Sequence, residues 1–385
     1  MQFSVYPRPL FAVAICAALL TSQARALVTL NDGTDRIYVT GSVGVSHDSN
    51  IFSSNGGGSD YVYSGGLSVE YPRKAGWIAV NAGVGVDISQ FDRFRGENFQ
   101  NPRFSAEFTK QTGRTTGSLT LSAQRQSRAD AALNTRNTSW NYNSGLNFHY
   151  PIVERYSLAG GLGYSLIKYV NNPAYVDLAS YSANINLFYI LSNERDLFAG
   201  YRFRYSDTSK NTQDTDHAFS LGLSGRIIPR VNGTVSVGYQ VRVPSNDVPG
   251  AQYGSTTASA TVSYAFTKKT TLAGQVAKDF STTAANTSMD VLTAGLDLQH
   301  AYSAKITFGA NVGYGRNRFL GIGGLIPGTD IHRDDTSFNW GARVSYVYSQ
   351  HLQTNLGYSY MKNWSNVGSS DFERSSWTFG ASSRW

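Results

Sequence analysis

The sequence predicts an all-β chain that forms a transmembrane antiparallel up-and-down β-barrel of about eighteen strands. Three observations predict it: long runs in which apolar and polar residues alternate, connections that are short and long in turn, and a composition poor in charge. Charged residues make up 15% of the chain, below the roughly 25% of soluble domains. Glycine (38), tyrosine (24) and phenylalanine (20) are abundant. This balance is typical of a barrel with an apolar, aromatic outer face and a polar lumen.

The clearest alternation runs through residues 218–242 and predicts a hairpin with its turn at Pro229 and Arg230. Phe219 and Val237 belong to the apolar face of this hairpin, and Ser236 belongs to the polar face. A strand that crosses a membrane needs about 9–11 residues, whereas a strand of a soluble sandwich has about five or six. The length therefore favours a strand between lipid and water, although this segment alone also fits a long hairpin of a soluble β-protein.

The first 26 residues predict a cleaved secretory signal peptide, and residues 27–385 predict the outer-membrane barrel. An apolar run at residues 10–20 is too short to span a membrane as a helix. Ala24 and Ala26 supply the small side chains that a signal peptidase recognises. The single cysteine, Cys16, lies inside the apolar run, and lipoprotein cleavage there is the alternative. Cleavage after Ala26 leaves a mature chain without thiols, which excludes disulfides and cysteine-ligated metals.

The connections between the alternating segments are of two kinds that take turns along the chain. The short kind comprises residues 71–74, 109–113, 150–154, 191–194, 229–230, 267–269, 302–304 and 349–351. The long kind, rich in Asn, Asp, Ser and Gly, comprises residues 47–59, 92–99, 127–136, 170–176, 207–214, 244–253, 281–286, 320–333 and 365–370. Outer-membrane barrels have short periplasmic turns and longer extracellular loops, whereas a soluble β-repeat has similar connections at both ends. The alternation therefore predicts which rim faces the exterior.

The last segment, residues 371–385, places Trp377, Phe379 and Trp385 on one face and ends in an aromatic residue. It resembles the C-terminal strand that barrel-assembly machinery recognises, which makes that machinery an expected partner. The apolar outer face makes outer-membrane lipid and lipopolysaccharide the expected surroundings. An even number of strands puts both ends of the chain at the short-turn rim.

Residues 41–52 carry a resemblance to a known family. Asp48 and Asn50, followed by Ile51 and Phe52, resemble the Asp/Asn-rich loop after the first strand of the putative β-barrel porin 2 family. The length of the chain and its strand count are also similar to that family. The resemblance implies a Gram-negative outer-membrane protein, often linked to export of secreted polysaccharide, with periplasmic polysaccharide-export components as partners.

Enzyme, cofactor, metal and nucleic-acid functions find little support in the residue patterns. The six histidines lie on separate segments without metal-ligand spacing: His47, His149, His217, His300, His332 and His351. No Gly-x-Ser-x-Gly elbow is present, and the Gly-x-Gly repeats lack a following helix pattern. The basic residues are dispersed, so the formal net charge of +7 does not indicate nucleic-acid binding. Two groups of acids fit either a divalent-cation site or, with better support, solvated loop charge: Asp207, Asp214 and Asp216, and Asp330, Asp334 and Asp335.

Five arginines fall on the polar faces and are predicted to line the pore as a substrate path: Arg202, Arg204, Arg226, Arg242 and Arg343. Arginine rings select anions in pores, and the first four are predicted to rise as a staircase along one wall, with Arg242 highest. Ion pairing across strands with inward acids is an equally supported alternative. The candidate acids are Glu107, Asp279 and Asp297.

The predicted function is passive translocation of a secreted polysaccharide, anionic or neutral, through a water-filled or loop-restricted barrel. One alternative is a small-solute porin, with or without selectivity for anions, and another is a plugged structural or adhesive surface barrel. The long loops distinguish these functions. A loop folded into the lumen favours a selective porin, whereas a wide, clear lumen favours passage of a polymer.

Overall fold

The computed structural model describes residues 28–30, 35–74, 76–170, 172–245 and 251–385. The predicted signal peptide lies outside the described residues. A three-residue strand, β1 (Val28–Leu30), pairs antiparallel with the beginning of the next strand, with Val28 opposite Ile37. In the described part of the chain, no helix has the length and apolar character of a membrane span.

Eighteen antiparallel strands form a closed barrel, as the sequence predicts. They are β2 (Asp35–Asp48), β3 (Asp60–Arg73), β4 (Ala79–Phe91), β5 (Phe99–Lys110), β6 (Thr116–Asp130), β7 (Thr135–Val153), β8 (Tyr156–Tyr169), β9 (Leu178–Ser192), β10 (Arg195–Thr208), β11 (Gln213–Ile228), β12 (Val231–Pro244), β13 (Tyr253–Ala265), β14 (Thr270–Thr282), β15 (Ser288–Ala301), β16 (Ile306–Phe319), β17 (Asp334–Val347), β18 (Leu352–Ser365) and β19 (Phe372–Arg384). Each strand pairs with its neighbours in sequence. The barrel closes where β19 pairs with β2, with Gly380 opposite Gly44.

The two rims differ as predicted. Tight connections such as residues 154–155, 193–194 and 229–230 join the strands at one rim, where β2 also begins and β19 ends. We call this the short-turn rim, and the opposite one the long-loop rim. The longest connections at the long-loop rim are residues 49–59 and 320–333. In the described residues, three 3₁₀ turns lie in long-loop connections: Arg95–Glu97, Ile322–Gly324 and Gly368–Ser370.

Two of the predicted long loops are shorter than expected. The strands β6 and β7 continue to Asp130 and from Thr135, so their connection is only residues 131–134. The strands β10 and β11 likewise leave only residues 209–212 between them. In both cases polar residues that were assigned to loops pair in the sheet instead. The β6–β7 hairpin projects beyond its neighbours as paired strands, because β6 and β7 stay paired up to Asp130 and Thr135 while β8 pairs with β7 only as far as Ser139.

Side-chain exposure confirms the predicted alternation. Phe219, Leu221 and Val237 are 64%, 67% and 63% exposed, as apolar residues on the outside of a barrel must be when no lipid covers them. On the same hairpin, Gln240 and Arg242 are almost completely buried. The apolar face therefore points outward and the polar face points into the lumen.

Candidate functional site

The connection after the first barrel strand folds into the barrel. Ile51 in this connection is completely buried, and its backbone N–H donates to the carbonyl of Gly58 at 2.9 Å. The side-chain amide of Asn50 donates to the carbonyls of Ser54 and Glu373, at 2.9 and 3.0 Å. The connection consists largely of Ser, Asn and Gly, and Ile51 would face water if the connection pointed away from the barrel. The residues of the family-like motif therefore anchor an inward loop.

An ion pair fixes this inward loop to the last strand. Arg374 on β19 contacts the carboxylate of Asp48 at 2.5 Å and donates to the hydroxyl of Ser53 at 3.2 Å. Asp48 is buried and also accepts the backbone N–H of Asn50 at 3.0 Å. One carboxylate thus joins β2, the loop and β19 where the barrel closes.

The connection between β6 and β7 reaches across the opening. The guanidinium of Arg333, in the connection before β17, donates to the carbonyls of Ala132 and Ala131 at 2.8 and 3.1 Å. Between β17 and β6 the shorter way around the wall crosses seven strand intervals, or about 34 Å at about 4.8 Å each. Two connections that far apart on the wall can touch only when they fold over the lumen. The side chains of Ser370 and Asn134 also meet there, at 2.5 Å.

Arg136 at the start of β7 connects the same hairpin to the inward loop. Its guanidinium donates to the carbonyl of Ile51 at 3.2 Å and lies 3.3 Å from the carboxylate of Glu97. It also lies 4.8 Å above the ring of Phe91, within the range of a cation–π contact. The mouth of the barrel is therefore bridged by contacts among several connections at the long-loop rim. We call these connections the mouth loops: residues 49–59, 92–98, 131–134, 320–333 and 366–371.

The connection between β8 and β9 leans toward the same hairpin. Tyr175 in this connection packs edge-on against Tyr169, with ring centroids 5.3 Å apart. Burial raises the pKa of the Tyr175 phenol, and the nearby carboxylate of Asp130 adds to the effect. The phenol therefore stays protonated at neutral pH and brings no charge to the mouth.

The top of the β14–β15 hairpin leaves the wall and bends inward. In the described part of the chain, β13 pairs with β14 only from Ala258 opposite Lys278 down to Ala265 opposite Thr271. Above Lys278, residues 279–290 form what we call the inward tip. The backbone N–H of Val176 donates to the carbonyl of Ala284 at 2.9 Å, although β9 and β14 are five strand intervals, about 24 Å, apart on the wall. The tip therefore crosses part of the lumen.

Two arginines of the wall hold the inward tip by its backbone. Arg242 donates to the carbonyl of Ser281 at 2.9 Å, and Arg204 donates to the carbonyl of Phe280 at 2.7 Å. Arg242 also donates to the hydroxyls of Thr282 and Ser288, at 3.2 and 3.1 Å. Arg242 is almost completely buried, so each hydrogen bond that it donates replaces one that water would otherwise make.

Carboxylates neutralise the same arginines. Asp216 lies between Arg204 and Arg242, at 2.5 and 2.7 Å, and is almost completely buried. Asp279 of the inward tip contacts Arg202 at 2.7 Å and Arg204 at 3.2 Å. We call this group, with Asp214 3.3 Å from Arg242, the arginine–aspartate cluster. Its formal charge is zero, with three arginines and three aspartates.

The other two predicted pore-lining arginines lie outside this cluster. Arg226 pairs with Glu194 at 2.7 Å near the short-turn rim, and both side chains are half exposed. Arg343 pairs with Asp297 at 3.1 Å. All five arginines therefore form ion pairs, and Asp279 and Asp297 are partners as the pairing alternative predicts. Glu107, the third expected partner, instead accepts a hydrogen bond from Thr109 at 3.3 Å.

The predicted staircase of arginines is wrong in its upper part. Arg204 lies opposite Asp216 on β11, and Asp216 lies opposite Arg242 on β12, so the two arginines share one level. Counting residues from the short-turn rim placed Arg242 higher. The count failed because the β11–β12 hairpin extends further at that rim: Arg195, the first residue of β10, lies opposite Gly225, and β11 continues from there to Ile228.

The acids that were predicted to be solvated loop charges are instead largely strand residues in ion pairs. Asp214 and Asp216 are buried in β11, and Asp335 in β17 is buried against Arg333 at 2.6 Å. Asp334 pairs with Arg316 at 2.6 Å. Among the residues that the structure describes, no group of three or more His, Cys, Asp or Glu side chains is arranged to hold a metal ion.

A cavity of ≈ 500 Å³ lies in the lumen beside the arginine–aspartate cluster. Hydroxyls and an amide from the wall strands form much of its surface: Thr120, Asn143, Ser165, Ser180, Ser182 and Ser206. Arg204, Arg242 and residues 280–282 of the inward tip close one side. We call this space the lumen cavity. The sequence indicated the wall residues through their alternation, but nothing in it indicated that the tip would cover them.

Comparison with known proteins agrees with this barrel. The model of the putative beta-barrel porin 2 family matches residues 217–384. The family resemblance predicted from the sequence is thereby confirmed, although residues 41–52, which carried it, lie outside the matched part. No curated protein sequence matches the chain. The barrel fold and the match to the porin family model together indicate an outer-membrane, porin-like channel, and such a channel fits a protein that is not an enzyme.

Solved structures share the fold at low sequence identity. OccK2 (OpdF) of Pseudomonas aeruginosa, solved in complex with glucuronate, is 12% identical with a TM-score of 0.50, over 91% of this chain and 97% of that one. The FrpB iron transporter of Neisseria meningitidis is 10% identical with a TM-score of 0.50, over 85% of this chain. The chain spans only 62% of the FrpB chain. At such identities the likeness shows the fold alone.

Proposed function

We propose that this barrel is a selective channel for small solutes across the outer membrane. The contact between Arg333 and the carbonyls of Ala131 and Ala132 carries the proposal, because it requires connections from distant parts of the wall to meet over the lumen. A barrel of about eighteen strands without such loops leaves a wide aqueous channel. The mouth loops and the inward tip both narrow it.

The inward loops favour this function over passage of a polysaccharide. A polymer chain needs a continuous wide path, whereas the mouth loops are joined to one another by hydrogen bonds, such as those from Arg333 to the carbonyls of Ala131 and Ala132 and from Asn134 to the carbonyl of Ser53. A hydrogen bond to a charged group contributes about 1.5–3 kcal/mol, so separating several of these loops at once is unfavourable. A small solute needs only the space between the loops.

The lumen cavity favours a channel over a plugged structural barrel. Its volume of ≈ 500 Å³ falls within the roughly 300–1,000 Å³ of small-molecule sites. A structural plug would bury apolar side chains against the wall, whereas this cavity is lined largely by serine, threonine and asparagine. A barrel of the same fold, OccK2, has been solved with glucuronate, so the fold can hold a compound of that size.

The proposal is tested by reconstituting the mature protein into lipid vesicles and planar bilayers. We expect efflux of glucose and a small but measurable conductance, with no efflux of a dextran of about 10 kDa. Arg333→Gln removes the contact across the mouth and is expected to raise the conductance at least twofold. Arg316→Gln is the matched control, because Arg316 pairs with Asp334 at the exposed surface of the neighbouring strand.

Three outcomes decide between the candidate functions. Dextran efflux through the wild-type protein would favour polysaccharide passage and overturn the small-solute channel. Absence of both conductance and glucose efflux would favour a plugged structural barrel. Equal conductance changes in Arg333→Gln and Arg316→Gln would show that the contact across the mouth does not restrict the pore.

A further inference from the structure

We infer that the lumen cavity favours small neutral solutes rich in hydroxyl groups, of monosaccharide size, over anions of the same size. This inference rests on the proposed channel function and adds the chemical class of the solute. It departs from what five lumen arginines suggest when they are considered by residue type alone. The decisive observation is that the arginines beside the cavity already donate hydrogen bonds to protein carboxylates and carbonyls.

The guanidinium groups that face the cavity already have anionic and carbonyl partners. Arg242 donates to both carboxylate oxygens of Asp216, at 2.7 and 2.8 Å, while its remaining contacts hold the inward tip. Arg204 donates to Asp216 at 2.8 Å and to Asp279 at 3.2 Å. A solute carboxylate would have to displace one of these protein carboxylates and leave it without its partner. That exchange brings no net gain in charge pairing.

The rest of the cavity surface is uncharged and combines hydroxyl and amide groups with apolar side chains. Of its lining residues in the described part of the chain, only Arg204 and Arg242 carry a charge. Ser180, Ser182 and Asn143 can each both donate and accept hydrogen bonds. A hydroxyl group of the solute has the same two capacities, so such a wall can replace its water. A carboxylate, which only accepts, loses its hydration without a free cation in return.

Apolar groups complete the match to a sugar ring. Ile167, Leu178 and Phe280 line the cavity together with the hydroxyl-rich wall. Small-molecule sites typically combine apolar surface with a few oriented polar groups. A monosaccharide presents C–H groups on the faces of its ring and hydroxyls around its edge. Both kinds of surface therefore find a counterpart in the lumen cavity.

The test compares glucose with glucuronate, which have the same ring and differ in charge. Vesicles containing the full mature protein are loaded with trace amounts of both radiolabelled compounds in symmetrical potassium chloride, so that the anion builds up no diffusion potential. We expect glucose to leave at least threefold faster than glucuronate. Equal rates, or faster glucuronate efflux, would overturn the inference while supporting the channel. No efflux of either compound would overturn the channel function and the inference with it.

A variant tests the physical cause. Asp279→Asn removes the carboxylate that neutralises Arg202 and Arg204, so the glucuronate-to-glucose efflux ratio should rise severalfold. Asp371→Asn is the control, since Asp371 pairs with Lys362 at the long-loop rim, and it should leave the ratio unchanged. Should Asp279→Asn fail to assemble, Ser182→Lys adds a cation to the cavity wall and should raise the ratio likewise. An unchanged ratio in the assembled variant would show that charge pairing does not set the preference.

Discussion

Asp216 on β11 and Arg242 on β12 lie directly opposite each other in the sheet and are joined by two hydrogen bonds of 2.7 and 2.8 Å. Both side chains are almost completely buried. They are buried because the inward tip of β14 and β15 covers them, and Arg242 in turn donates to the tip at Ser281. The ion pair and the folded-in hairpin therefore stabilise each other. Without the tip the ion pair would be exposed to the lumen, and without Arg242 the tip would lose a hydrogen-bond donor to its backbone.

The first prediction concerns Arg242. Arg242→Gln leaves Asp214 and Asp216 buried with fewer partners, and we expect a loss of about 3–5 kcal/mol in the free energy of unfolding. The inward tip also loses its anchor, so the conductance should rise. Unfolding in guanidinium chloride and single-channel recording measure the two effects. The control is Arg226→Gln, whose half-exposed pair with Glu194 should contribute about 0–1 kcal/mol. Equal losses in both variants would contradict the role assigned to burial.

The sequence predicted the wall of this barrel but not what fills it. Alternation in residues 218–242 identifies the outward and inward faces. One face of a barrel strand contacts lipid and the other contacts the water of the lumen, and successive side chains point to opposite faces. The alternation continues in β14 with Leu272, Gly274 and Val276 on the outward face, and Lys278, at the next outward position, is the last residue of β14 that pairs with β13. The bend of β14 depends on Arg204 and Arg242, which are far away in sequence.

The mouth loops were likewise only partly predictable. The Asp48–Phe52 motif located a distinctive connection, yet a polar loop and an inward loop have similar compositions. Arg374, the partner of Asp48, belongs to the other end of the chain and becomes its neighbour only when β19 closes onto β2. Contacts of this kind form only when the barrel closes, and a pattern within one segment of the sequence does not indicate which distant residue will become the neighbour.

The second prediction tests the direction of the faces. Val237→Arg places a charge on the outward face, and we expect a penalty of about 2–4 kcal/mol if the residue lies near the middle of the membrane. Ser236→Arg, one residue earlier on the lumen face, should assemble nearly normally. Heat-modifiable migration in gels and the yield of the inserted protein are the measurements. Equal tolerance of both substitutions would contradict the assignment of the faces.

The third prediction concerns orientation in the membrane. Cleavage after Ala26 would leave no native cysteine, so single cysteines can be labelled without background. Thr329→Cys lies in an exposed mouth loop, and Lys268→Cys lies in an exposed turn at the short-turn rim. An impermeant maleimide applied to intact cells should label Thr329→Cys, while Lys268→Cys should react only after the outer membrane is permeabilised. The reverse pattern would invert the topology.

The last prediction concerns the ion pair that holds the inward loop. Arg374→Gln removes the guanidinium that contacts the buried Asp48 and the hydroxyl of Ser53. An unpaired buried carboxylate is unfavourable, and it can regain water if residues 49–59 move out of the barrel. We therefore expect Arg374→Gln to increase both the conductance and the cleavage of this loop by an added protease.

The double variant Asp48→Asn/Arg374→Gln separates loss of charge from loss of shape. With both charges absent, no buried carboxylate drives the loop outward, so the conductance should return toward the wild-type value. Lys362→Gln serves as the control. Lys362 lies beside the loop, and its described ion pairs are with Asp371 and Glu373 and not with Asp48. A double variant at least as open as Arg374→Gln would mean that the hydrogen bonds, and not the charge of Asp48, keep the loop in the barrel.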